Sequence, residues 1–231
     1  HAVSLDPGET YVAAVSGMIP AGVFGEFFLV VQTGMLGAFL ATDLFLFYLF
    51  WELQLVPMFF LIGLWGHAGR IQATIKFVLF TVAGSLFMLA ALIGLYLAHG
   101  AMTGHYTTSL FELLGTPLDR GTQLWLYAAF LLAFAIKIPV VPFHTWLPDA
   151  HTEAPTAGSM ILAGVLLKLG AYGFLRLILP LYPTEAKYFA GALAFLAVAA
   201  IVFGAFASYA QTDFKRLVAY SSVNHMGCVV L

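Results

Sequence analysis

Charged residues are scarce in this chain. Its 231 residues include 9 Lys and Arg and 11 Asp and Glu, which is 9% of the total, whereas soluble domains contain about 25% charged residues. The formal net charge is −2, and the basic residues form no run. The chain therefore lacks the positive surface of a nucleic-acid-binding protein.

Cysteine and nucleotide-binding motifs are also missing. Cys228 is the one cysteine, so an internal disulfide is excluded, as is an iron–sulfur cluster held by about four thiolates. The sequence contains neither G-x-G-x-x-G nor G-x-x-x-x-G-K-[ST], the usual phosphate-binding motifs. We expect no cofactor in this chain, so any redox reaction that it serves uses cofactors on other chains.

Long apolar runs are abundant. The chain is 62% hydrophobic with a mean hydropathy of +0.97, and a crossing helix needs about 20 mainly apolar residues. This pattern predicts an all-α, multi-pass membrane bundle, with a loop at 1–22 and a transmembrane domain over 23–231. The predicted spans are 23–42, 43–65, 71–98, 122–142, 155–179, 188–210 and 216 onward.

The connections between these spans also lead to predictions. Thr42 and Asp43 are typical of a helix start, which predicts a tight hairpin between the first two spans. Alternation of the spans places loops 66–70 and 211–216 on one membrane face, and loops 99–123 and 180–187 on the other. The four tryptophans are candidates for an interfacial belt: Trp51, Trp65, Trp125 and Trp146. Because the chain begins at His1 and stops within an apolar run, we expect a fragment of a longer subunit.

Three charged residues lie deep within predicted spans: Glu52, Lys137 and Lys168. Each costs about 2.5–3.5 kcal/mol at the bilayer centre unless it is paired or hydrated. One interpretation is an ion pair that holds helices together. The other is proton transfer, because two lysines and one carboxylate cannot neutralise each other fully.

Lys137 is followed by two prolines in "FAIKIPVVPFHTW". Pro139 and Pro142 lack N–H donors and are predicted to leave the carbonyls of Ala135 and Ile138 unpaired. Unpaired carbonyls are tolerated in a membrane only beside protein or water, so this segment should line a hydrated cavity, as broken helices do in transporters. A kink that serves only the shape of the helix is the alternative.

The other two buried charges have polar or compact surroundings. Glu52 precedes Pro57, which leaves the carbonyl of Leu53 without its helical donor, so a third helix break is predicted there. Lys168 lies in a segment with four glycines, which let other backbones approach closely: Gly158, Gly164, Gly170 and Gly173. We therefore expect the Lys168 ammonium to face the bundle rather than lipid.

Three histidines are candidates for proton relay. His144 and His151 follow the broken helix and have unperturbed pKa values near 6.5 as a residue type. They match no haem or metal-ligand pattern, and no metal site is predicted. His225 lies in "SSVNHMG" near the end of the chain, where a hydrogen-bonded core histidine is an equal alternative.

Four segments resemble a known family, the antiporter-like membrane subunits of the proton-pumping NADH:quinone oxidoreductase (respiratory complex I). The resemblance covers about residues 35–231 and is greatest to the chain M type. The segments are "FWELQLVPMFFLIGLWG", "KIPVVPFHTWLPDAHTEAPTAGS", "LLKLGAYGFLR" and "AQTDFKRLVAYSSVNHMG". Sodium/proton antiporter and membrane-bound hydrogenase subunits share these motifs.

The resemblance implies a bundle of about fourteen helices with two inverted repeats, of which this sequence would hold the first repeat and the start of the second. By position, Glu52 matches the family's carboxylate, Lys137 its broken-helix lysine, Lys168 its central lysine and His225 a relay histidine.

The implied role is proton translocation by a non-redox subunit in an energy-transducing membrane. NADH, FMN, iron–sulfur clusters and quinone would be bound by other subunits, and the partners would be paralogous membrane subunits, the redox arm and lipid. A sodium/proton antiporter, a transporter of organic solutes and a membrane scaffold remain alternatives.

Overall fold

The computed structural model describes residues 21–231, so the predicted loop at 1–22 lies almost wholly outside the described residues. These residues form helices and no strand beyond one isolated bridge between Asp43 and Ser109. The helices are α1 (Ala21–Leu40), α2 (Leu44–Leu53), α3 (Leu55–Trp65), α4 (Arg70–Thr103), α5 (Leu110–Leu113), α6 (Arg120–Lys137), α7 (Trp146–Glu153), α8 (Thr156–Leu181), α9 (Pro183–Tyr209) and α10 (Phe214–Val230).

Within residues 21–231, five stretches are long and apolar enough to cross a membrane: 22–40 in α1, 44–65 in α2 and α3, and the whole of α4, α8 and α9. Many of their outward side chains are apolar, including Leu40 (79% exposed) and Phe206 (74% exposed). Exposed apolar side chains on long helices match the hydrocarbon of a bilayer. The protein is an integral, multi-pass membrane protein with an all-α fold.

Three predicted boundaries are wrong. The predicted span 71–98 ends too early, because α4 continues to Thr103. The predicted span 122–142 is not one helix, because α6 ends at Lys137 and the chain turns until Trp146. The predicted loop 180–187 shrinks to Tyr182, because α8 continues to Leu181 and α9 begins at Pro183. Proline is well suited to the first position of a helix, where its missing N–H has no intrahelical acceptor to lose.

Asp43 starts α2, as predicted. Its Oδ1 accepts a hydrogen bond from the N–H of Leu46 at 2.9 Å, and its Oδ2 accepts one from Thr108 Oγ1 at 2.5 Å. The N–H of Leu44 also bonds to the carbonyl of Thr108 at 2.9 Å. Asp43 therefore caps α2 and ties the α1–α2 turn to the loop that follows α4.

We expect Asp43→Ala to lower the free energy of unfolding by about 1 kcal/mol, the usual cost of losing an N-cap. Asp43→Asn retains an oxygen that can accept from Leu46 and should lose much less. Thermal unfolding of the detergent-purified protein measures both variants. Equal stability of the alanine and asparagine variants would show that the cap is unimportant here.

The helix ends gather at two membrane faces. At the Asp43 face lie the α1–α2 turn, the loop 104–119 and Tyr182. At the Glu153 face lie the α3–α4 loop, the end of α7 and the α9–α10 loop. The N–H of His67 donates to the carbonyl of Glu153 at 2.8 Å, and Lys215 Nζ lies 3.0 Å from His67 Nε2. The predicted grouping of the connections agrees with this arrangement.

Candidate functional site

The helix break follows Lys137 directly. Helix α6 ends at this residue, and the backbone resumes a helix only at Trp146. The carbonyl of Ala135 accepts a hydrogen bond from the N–H of Val140 at 3.0 Å, and the carbonyl of Ile136 accepts one from Trp146 Nε1 at 2.9 Å. The expectation that the Ala135 carbonyl stays unpaired is therefore wrong, since a wider turn supplies the donor that Pro139 lacks.

The cavity beside the break is apolar. It has a volume of about 230 Å³, and all of its lining residues are apolar, including Phe134, Ile138 and Phe143. The hydrated lining expected for this segment is not found in this cavity.

Lys137 is buried, with 5% of its surface exposed. Its Nζ lies 5.1 Å from the centroid of the Trp51 ring. Within residues 21–231 it has no hydrogen-bond or ion-pair partner. An ammonium in this position loses its hydration and recovers only part of that energy from an aromatic face.

Trp51 is 4% exposed, and its ring lies beneath the Lys137 ammonium inside the bundle. Trp146 is 1% exposed. The interfacial-belt interpretation is therefore wrong for these two tryptophans, because both pack in the core.

Glu52 interacts with Lys137 through space. Its carboxylate is the charged group that acts on the Lys137 ammonium, and it is half-buried near the end of α2. No ion pair between the two residues within 4 Å occurs in the described part of the chain. A contact ion pair that holds helices together is not what this structure shows.

The helix containing Glu52 is interrupted at Gln54, between α2 and α3, three residues before Pro57. The buried Gln54 side chain donates from Nε2 to the carbonyl of Phe50 at 2.9 Å. Glu52 thus lies beside an irregular turn that contains the polar side chain of Gln54.

The two relay candidates after the break are buried. His144 is 7% exposed and His151 is 5% exposed. His151 Nδ1 lies 2.6 Å from Ser159 Oγ, whereas His151 Nε2 and His144 Nδ1 have no protein partner within residues 21–231. Each imidazole therefore has one buried nitrogen available for exchange with water or a further group.

Lys168 and His225 lie on the exposed surface of the described bundle. The Lys168 ammonium donates to the carbonyl of Ala163, within a π-helical segment, Leu162–Leu166. The expectation that Lys168 faces this bundle is wrong. A π turn contains one more residue than an α turn, which rotates the following side chains by about 100° around the axis.

Two glycines bring α8 against the end of α6. A Cβ added at Gly170 would lie 3.0 Å from Ile138 Cγ1 and 3.3 Å from Lys137 Cβ, and one at Gly173 would collide with the ring of Phe134. A Cβ at Gly164 would contact nothing. The predicted close backbone approach is thus confirmed at Gly170 and Gly173, which hold the helix of Lys168 next to Lys137.

A network of charges that sequence reasoning missed positions α7. Asp149 forms ion pairs with Lys76 Nζ at 2.7 Å and Arg216 Nη2 at 3.0 Å. Lys215 Nζ donates to the carbonyls of Thr152 at 3.2 Å and Ala154 at 2.8 Å, at the end of α7. These contacts fasten α7 to α4 and α10. The sequence signal was Asp149 itself, a carboxylate in the middle of an otherwise uncharged stretch.

His, Cys, Asp and Glu side chains do not assemble into a group of three or more that could hold a metal ion, as far as residues 21–231 are concerned. The chemistry available here is proton binding by a buried lysine, a half-buried carboxylate and two buried imidazoles.

Residues 41–231 match the family model described as NADH:quinone oxidoreductase/Mrp antiporter, TM. The chain belongs to this family. The NADH-quinone oxidoreductase subunit M of Escherichia coli is 52% identical over 203 residues, which is 86% of this chain and 40% of that protein. This member of the family therefore spans less than half the length of the curated relatives that it matches.

Solved structures agree with this family membership. Respiratory complex I from Thermus thermophilus with bound NADH contains a chain that is 39% identical, with a TM-score of 0.82 and coverage of 94% of this chain and 45% of that chain. The Mrp complex from Dietzia sp. contains one that is 30% identical, with a TM-score of 0.76 and coverage of 88% and 22%. The antiporter-like bundle expected from the resemblance is confirmed.

Proposed function

We propose that this chain forms part of a proton-translocating membrane subunit of NADH:quinone oxidoreductase, of the subunit M type. The observation that carries the proposal is Lys137, a buried ammonium at a helix break that has no hydrogen-bond or ion-pair partner among residues 21–231 and on which the charge of Glu52 acts. A lysine in this setting gains or loses its proton when the position or charge of its neighbour changes.

In the proposed mechanism, Glu52 controls whether Lys137 keeps its proton. A signal from the quinone-reducing part of the complex moves Glu52 away or neutralises it, and Lys137 then releases its proton. The absence of a contact ion pair supports this mechanism, because Glu52 can move without first breaking a hydrogen-bonded contact with Lys137.

Lys168 is the proposed next acceptor. Its backbone is close to Lys137, because Gly170 contacts the end of α6, but its ammonium lies on the opposite, exposed side of α8. We propose that the rest of the longer subunit covers this side and also His225. His144 and His151 are the proposed secondary relay between Lys137 and the Glu153 face.

The proposal also names partners and cofactors. The subunit would associate with other membrane subunits, including paralogous antiporter-like ones, and would be coupled indirectly to the hydrophilic redox arm. As a non-redox subunit it would leave NADH, FMN, the iron–sulfur clusters and quinone to other chains. Energy-transducing membranes, either bacterial plasma membrane or mitochondrial inner membrane, would contain the complex.

The alternatives have weaker support. The likeness to the Mrp complex supports a sodium/proton antiporter subunit, but at 30% identity against 52% for subunit M. A transporter of organic solutes needs polar groups in its cavity, whereas the cavity beside the break is lined by apolar side chains. A scaffold has no use for a buried lysine without a partner.

Reconstitution of the complete purified complex into liposomes tests the proposal. We expect flavin and iron–sulfur chains to co-purify, and NADH oxidation by quinone to drive proton movement across the bilayer. Sodium-dependent transport by a complex without a redox arm would instead assign the chain to the antiporters.

A further inference from the structure

A second group of buried polar side chains lies near the Asp43 face. It consists of Tyr127 on α6, Tyr182 between α8 and α9, and Glu185 in the first turn of α9. Their exposed fractions are 0%, 2% and 3%. The two tyrosine rings pack edge to face with centroids 6.3 Å apart, so two helices and a linker converge at this point.

Three buried oxygen atoms of this group lack a hydrogen-bond partner within residues 21–231. Tyr127 Oη, Tyr182 Oη and Glu185 Oε2 are each enclosed without a hydrogen bond. None of the three residues has any other hydrogen bond or ion pair of its side chain to the rest of residues 21–231. Buried polar atoms in native proteins almost always have a partner, so three such atoms in one place indicate a bound species.

The group has a negative charge and no base. Glu185 is the charged residue that acts on both tyrosine hydroxyls. The basic residues nearest to it in sequence, Arg176 and Lys187, are exposed, and neither forms an ion pair with it. A buried carboxylate without a basic partner is costly, so a bound cation would stabilise Glu185.

This group is separate from the site at Lys137. Tyr127 precedes Lys137 by ten residues on one helix, which is about 15 Å along the axis at 1.5 Å per residue. The side chains of Phe130 and Phe134, 1% and 0% exposed, lie on the same face of α6 between them. Two aromatic rings without polar atoms separate the two sites.

The donors define the ligand. All of them are oxygens, one carboxylate and two phenols, which favours a hard cation over a soft metal. One carboxylate supplies a single negative charge, so a monovalent cation balances it and a divalent one does not. The position of Glu185 at the third residue of α9, next to Tyr182 at the membrane face, gives the cation a short route from solution.

We propose that Glu185, Tyr127 and Tyr182 form a binding site for a small monovalent metal cation such as sodium, taken up from the solution at the Asp43 face. The cation neutralises the carboxylate, and the two hydroxyl oxygens coordinate the cation. Nothing in this proposal requires the chain to pump protons.

Infrared spectroscopy of the purified complex tests the site directly. We expect the addition of sodium chloride to sodium-free buffer, with choline chloride as the control salt, to shift a carboxylate signal of the native complex that Glu185→Gln removes. Tyr127→Phe and Tyr182→Phe should each shift its frequency because they remove a hydroxyl neighbour. Glu112→Gln, which changes an exposed carboxylate near the same face, should leave it unchanged.

Titrations with sodium chloride and with choline chloride decide whether the site binds sodium. A saturable shift of this carboxylate signal with sodium but not with choline supports the site, and the absence of such a shift overturns it. Glu185→Gln spectra identical to native in both titrations would overturn the site. If the Glu185→Gln complex does not assemble, unshifted spectra in both Tyr127→Phe and Tyr182→Phe would also overturn the proposed site. Because none of these signals depends on proton pumping, the experiment can contradict the proposed cation site while the proposed function is supported, or support the site while the proposed function is contradicted.

Discussion

Lys137→Met should abolish proton pumping by the assembled complex while the complex remains folded. Methionine keeps the apolar stem of the lysine and removes the charge. The ammonium has no ion-pair partner within residues 21–231, so its removal ends a desolvation cost and should leave the melting temperature equal or higher. Loss of a positioned proton-transfer group slows a proton-transfer step by about 100-fold or more, which places pumping in proteoliposomes at background.

Lys137→Arg separates proton transfer from charge. Arginine keeps the positive charge above the Trp51 ring, but its guanidinium does not deprotonate in proteins. We therefore expect Lys137→Arg to pump no better than Lys137→Met. Lys187→Met, which removes an exposed lysine on α9, is the matched control and should pump normally. Pumping retained in the arginine variant would show that Lys137 acts only by its charge, and pumping retained in the methionine variant would refute the proposed path.

Glu52→Gln should weaken pumping and move its pH dependence toward lower pH. The glutamine keeps the size of the side chain and removes the charge that acts on Lys137. Without that negative charge the lysine holds its proton less tightly, so it is half-protonated at a lower pH.

The pH profile of proton uptake in proteoliposomes measures this effect. Glu26→Gln is the matched control, because Glu26 is an exposed carboxylate on the neighbouring helix α1, and it should leave the profile unchanged. Glu52→Asp, with its charge withdrawn by one methylene, should give an intermediate displacement. An unshifted profile in Glu52→Gln, with normal pumping, would contradict a controlling role for Glu52.

Local sequence signals predicted much of the fold. Apolar runs of about 20 residues located α1, α4 and α8, because a bilayer requires helices of that length. Asp43 predicted the start of α2, since a cap depends on only a few neighbouring residues. The prolines after Lys137 predicted a helix break for the same local reason, although the predicted span continued to residue 142.

The candidate site was only partly predictable. Sequence reasoning found Lys137 and Glu52 because a charge within an apolar run is conspicuous in a membrane protein. It missed the contacts of Asp149 with Lys76 and Arg216, which join residues 73 and 67 positions apart in sequence. Such partners are brought together by packing and leave no local pattern.

The sequence alone thus determined the membrane class, the helices and the presence of out-of-place charges, because hydropathy, caps and proline act over a few residues. Tertiary structure decided where each charge points. The π turn Leu162–Leu166 precedes Lys168, whose side chain is exposed, the packing of α2 on α6 places Trp51 beneath Lys137, and the start of α9 buries Glu185. These outcomes depend on helix rotation and on contacts between distant segments, which a linear pattern of residue types does not contain.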